Sequence, residues 1–143
     1  MKPDVSDILN ITAEQSMAAI VAAAAPHYVQ GATAVHGLLL RFAAREYERG
    51  ADIRARENAD IRTLFAELGA GVRDESLRMQ LAQAASSRDE PLTISSLDAS
   101  NATLRKLLIA LHVHVEEQGL RAADKRIWQL LKTIAARRAM PLF

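Results

Sequence analysis

Two stretches that read as helices carry the same short pattern. Glu57-Asn58-Ala59-Asp60-Ile61-Arg62-Thr63-Leu64 returns as Ser100-Asn101-Ala102-Thr103-Leu104-Arg105-Lys106-Leu107, forty-three positions later. The echo constrains the fold through its asparagines. Asn58 falls on the apolar stripe Arg54, Asn58, Ile61, Phe65, Leu68, and Asn101 on the stripe Leu97, Asn101, Leu104, Leu108, Leu111, Val115. An amide on such a stripe is costly unless its donor and acceptor are used. Each amide offers both, so Asn58 and Asn101 are expected to approach one another inside a helical bundle or across a dimer.

The other segments support an all-α reading. Ala is abundant, aromatics make up only 4% of 143 residues, and no stretch alternates apolar and polar residues between turn signals. A first helix is expected over about residues 6–24, with Thr12-x-x-Gln15 as a capping box and a weak apolar face of Ile8, Met17, Ile20, Val21 and Ala24. A second helix, over about 27–49, carries a seam of Tyr28, Ala32, Val35, Leu39 and Phe42. That seam decays after Phe42, and the Asn58 stripe starts one residue out of phase. A straight helix cannot turn both toward one core. A turn at Arg49-Gly50-Ala51 with Asp52 as the next cap is therefore expected, the alternative being one long helix kinked at Gly50.

The third helix spans about 52–68 and a fourth about 73–86. Residues 86–95 form the clearest loop, with Leu92 and Ile94 expected to tuck against the bundle. The fifth, about 96–118, is capped by Ser95 or Ser96 and ended by Gly119; the sixth covers about 121–138, and the tail Met140-Pro141-Leu142-Phe143 is apolar. The expected fold is a single domain over 1–143, an up-and-down bundle of five to six helices whose four core helices are the second, third, fifth and sixth. Gly71-Val72-Arg73 and Gly119-Leu120-Arg121 extend the echo, so the third and fourth helices are a possible counterpart of the fifth and sixth.

Chemistry is harder to find. Asn58, Arg62, Asn101 and Arg105 can be read as a polar pocket around an anionic ligand, or as a register lock; the lock is favoured, with Glu57, Glu116 or a backbone carbonyl as reach for the arginines. His112-x-x-x-Glu116 places two metal-ligand types on one helix face, although no Glu-x-x-His accompanies it. Its plain reading is an i,i+4 pair. Glu46, on the decaying seam, is the best single candidate for a carboxylate with a raised pKa, but such a position more often marks the end of a buried stretch. Arg41, Arg45 and Arg49 form a basic stripe, as do Arg121, Lys125 and Lys132, with Arg137 and Arg138 in the last turn where a helix dipole favours cations. Acidic neighbours and the lack of interleaved aromatics make these solvated faces rather than a nucleic-acid surface.

A formal net charge of +1 supplies no field toward nucleic acid or anionic lipid, and the absence of Cys excludes disulfides and thiolate chemistry. The apolar run Met17–Ala25 is too short for a membrane span and lacks the basic lead-in of a signal peptide. The chain reads as a soluble cytoplasmic protein with no cofactor. Its function is expected to be non-catalytic interaction or scaffolding as a homodimer, with a possible further protein partner. The alternative is a small-ligand- or metal-binding bundle. The basis for the dimer is the Ala-rich first helix and the Met140-Pro141-Leu142-Phe143 tail, which carry little charge and must cover a core or meet a partner.

Overall fold

The computed structural model describes residues 4–139. It contains five helices: α1 (Val5–Ala22), α2 (His27–Gly69), α3 (Glu75–Ser86), α4 (Ile94–Glu117) and α5 (Arg121–Arg138). No strand occurs among the described residues. The chain is an all-α helical bundle as expected, but it divides after Ala51 into two compact units. The apolar tail 140–143 lies outside the described residues.

The first unit holds α1 and the first part of α2. Asp4 caps α1, its carboxylate accepting from the Ser6 N–H at 2.8 Å, so the helix begins well before the expected capping box. Thr12 instead donates its hydroxyl back to the Ile8 carbonyl at 2.7 Å. The turn into α2 places Ala24 at φ 48°, in the left-handed region. Among the described residues of this unit, Ala13 and Ala44 are the only buried apolar side chains. The seam on α2 is present in spacing, yet Tyr28, Val35 and Leu39 are 79%, 57% and 56% exposed.

The expected turn at Gly50 does not form. α2 runs unbroken for 43 residues, and Asp52 lies inside it rather than capping a new helix. Gly costs only about 1 kcal/mol relative to Ala within a helix, too little to stop one that propagates on both sides. The phase change between seams has a different cause. The upstream seam lies in the first unit and the Asn58 stripe in the second, so no single core has to meet both.

The second unit is a four-helix bundle of the last part of α2 with α3, α4 and α5. Its core contains Ile61, Leu64, Phe65, Val72, Leu81, Leu104, Leu108, Leu111, Val115, Ile127, Leu130 and Ile134. The helix direction alternates along the chain. Glu67 of α2 pairs with Arg126 near the start of α5, while Asp60 pairs with Arg137 near its end, so these helices run antiparallel. The short turn between α4 and α5 reverses the chain again, leaving α2 and α4 parallel. This corrects the expected set of core helices. The short α3, which was not among the expected core helices, supplies Leu81 to the core of this unit.

Local signals set the ends. Asp74 caps α3 by accepting from the Leu77 N–H at 2.8 Å. Thr93, not Ser95 or Ser96, caps α4, accepting from the Ser96 N–H at 3.3 Å. Gly119 ends α4 at φ +64°, the left-handed conformation that a residue without Cβ adopts without strain.

Candidate functional site

The echo builds a buried polar cluster in the second unit. Asn101 donates from Nδ2 to Oδ1 of Asn58 at 2.8 Å, so the two equivalent amides meet as their seam positions require. Both residues are buried. Around this pair each Asn-x-x-x-Arg element grips one carboxylate.

The first grip is on Asp89. Arg62 donates to it through both ends of its fork, Nη1 to Oδ2 at 2.9 Å and Nη2 to Oδ1 at 2.6 Å. Asn58 adds an N–H at 3.1 Å and Ser100 a hydroxyl at 2.6 Å. Two further Arg62 donors, on Nε and Nη2, reach the hydroxyls of Ser87 and Ser100. The side chains of Arg62 and Asp89 are only 10% and 8% exposed. The hydrogen bonds from Arg62 lead, burial opposes them, and the outcome is an Asp89 pKa lowered from 3.8 to about 2.

The second grip is on Glu57. Its Oε1 accepts from Asn101 at 2.9 Å and from Arg105 through Nε at 3.0 Å, with Nη2 of Arg105 on the same oxygen. Its Oε2 accepts from Arg138 at 2.7 Å. Burial of Glu57 disfavours the charged form, but the hydrogen bonds from Arg105, Asn101 and Arg138 outweigh it and hold the pKa below the ordinary value.

The two grips exchange parts. The residue before Asn101 is Ser100, which donates to Asp89 in the Asn58–Arg62 grip. The residue before Asn58 is Glu57, the carboxylate held by Asn101 and Arg105. Each echo thus lends the other its preceding residue, and equivalent asparagines touch. A local twofold relation between parallel α2 and α4 has this geometry. The anion sought for these four side chains is provided by Asp89 and Glu57 of the chain itself.

Sequence reasoning reached the Asn pair and the Arg105–Glu57 contact, but not Asp89. The loop was expected to be anchored by Leu92 and Ile94; both are exposed, and Asp89 pins it instead. Glu46 is exposed. Arg137 and Arg138 do not merely answer the helix dipole, since they bond Asp60 and Glu57.

His112 and Glu116 do converge, and Asp124 joins them. Nε2 of His112 lies 2.9 Å from Asp124 and 3.6 Å from Glu116. Among the described residues these three form a group whose ligand atoms lie within 4.8 Å of one another. One imidazole nitrogen and two carboxylates are a donor set that suits zinc or a similar divalent ion. The imidazole also hydrogen-bonds α4 to α5 and meets Trp128 edge-on, ring centroids 5.6 Å apart.

No family model, no curated protein and no solved structure matches the chain. Among the described residues no helix is long and apolar enough to cross a membrane.

Proposed function

We propose that this protein is a non-catalytic interaction subunit that acts as a cytoplasmic homodimer, joined through its N-terminal helical hairpin. The observation that carries this reading is the exposed seam of that hairpin. Val21, Tyr28, Val35, Leu38 and Leu39 are all exposed, while among the unit's described apolar side chains only two alanines are buried. A helical hairpin with so small a core gains stability by covering its apolar stripe.

A second copy of the chain suits that stripe. No Asp, Glu, Lys or Arg occurs between Glu14 and Arg41, so two such surfaces meet without like-charge repulsion or charge desolvation. The seven-residue spacing of Tyr28, Val35 and Phe42 suits helix-on-helix packing of the coiled-coil type. The closed product is a four-helix arrangement made from two hairpins, with a self-complementary interface.

Light scattering on the full chain at micromolar concentration tests the reading. The expected mass is twice the 15.6 kDa of the chain. Leu39→Glu, which puts a charge on the stripe, should return the mass to one chain. A monomeric wild type, or wild type that sediments with lipid vesicles instead of pairing, would refute it.

A further inference from the structure

Beyond association, we propose that the groove between α3 and α4 binds a small amphiphilic carboxylate, an organic acid with an acyl or aryl body. The groove has a volume of about 650 Å³, within the range of small-ligand sites. It lies wholly within the second unit and is separate from the hairpin seam. Ala84, Leu104, Leu107 and Ala110 give it an apolar strip, beside the polar Gln80 and Gln83. The two alanines leave the space between the helices open.

The charge of the lining is one-sided. Arg62, Arg88 and Lys106 line the groove, and no carboxylate does. Arg62 is already neutralised by Asp89. The side chains of Arg88 and Lys106 have no hydrogen-bond or ion-pair partner among the described residues. A cation at the end of α3 can be ascribed to the helix dipole, but Lys106 lies in the middle of α4, where the dipole asks for none. The chain as a whole is nearly neutral, while the lining of this groove carries cations and no carboxylate. Their chemistry recognises a carboxylate, while the alanine- and leucine-lined wall takes the apolar body.

The probe is octanoate, titrated into the full-length labelled protein and followed residue by residue through amide NMR shifts. Saturable shifts are expected at 80–88 and 100–110, with octylammonium giving none. Arg88 and Lys106 are exposed and outside the core, so Arg88→Glu with Lys106→Glu keeps the fold and should weaken octanoate by about tenfold or more. Ala110→Phe, also at an exposed position, should fill the groove and abolish the shifts. An equal response to octylammonium, shifts centred on 5–47, or unchanged octanoate affinity in the double variant would overturn the proposal. So would binding to phosphatidylglycerol vesicles without a response to octanoate.

Discussion

Replacing Asp89 by Asn keeps the shape of the side chain and removes the charge that Arg62 grips. Two effects set the cost. The pKa of Asp89 is lowered from 3.8 to about 2, and at 1.36 kcal/mol per unit this corresponds to about 2 kcal/mol of stability from ionisation. The change also strands Arg62, whose side chain is 10% exposed, without its counter-charge. Breaking a buried pair from one side costs about 3–5 kcal/mol; the hydroxyls of Ser87 and Ser100 remain as partners, so about 3 kcal/mol is expected. Urea unfolding followed by the fluorescence of Trp128 reads this directly, because the only Trp of the chain lies in the second unit. The pH dependence gives an internal check. A carboxyl group with a depressed folded pKa contributes fully above its unfolded pKa of 3.8, and the contribution is lost as pH falls toward about 2. The gap between wild type and Asp89→Asn should therefore shrink by about 2 kcal/mol between pH 5 and pH 2. A neutral-pH difference within about 0.5 kcal/mol, the range of ordinary surface changes, would refute the clamp. So would a gap that stays constant through the acid range.

Three further outcomes follow from the same geometry. Asn101→Ala strands Oδ1 of Asn58 and takes a donor from Glu57, so it should cost about 2 kcal/mol, whereas Asn58→Leu with Asn101→Leu should cost less than the sum of the two single Leu changes, measured by the same unfolding curves. Gly119→Ala forces a Cβ into φ +64° and should lower stability by about 1 kcal/mol in thermal unfolding, while Ala24→Gly, at φ 48°, should raise it by a similar amount. His112→Ala removes the tie to Asp124 and the edge contact with Trp128; a loss of about 1 kcal/mol and a changed Trp128 emission are expected in spectroscopic unfolding.

The parts of this architecture that could be read from the chain are those governed by helical periodicity. Counting turns places Asn58 and Asn101 on their stripes, and a buried amide must then find a partner, which in this chain is the other amide. The Gly119 ending follows from local backbone chemistry in the same way. Asp89 could not be found by such counting. It lies in a loop rich in Ser, Asp and Glu whose composition suggests solvent, and only the path of the chain brings it to Arg62, 27 residues away in sequence. Arg138 reaches Glu57 across 81 residues, and its position in a last turn offered a sufficient local explanation that concealed the contact.

Gly50 teaches the opposite lesson. Two seams out of phase imply two helices only if both must face one core. The two seams lie on either side of Ala51, in separate units, so neither has to face the core of the other. The exposed Tyr28, Val35 and Leu39 follow from this division. Their spacing was legible as a seam, but spacing alone does not say whether the facing helix belongs to the same molecule.

The echo is a pair of interlocked carboxylate grips joined through their asparagines. Side-chain amide NMR of the labelled full chain tests that join most directly. Asn58 and Asn101 should show slowly exchanging NH2 protons, and those of Asn101 should give a cross-relaxation peak to the Asn58 side chain across the 2.8 Å contact. Two amides exchanging at free-solution rates, with no peak between them, would contradict it.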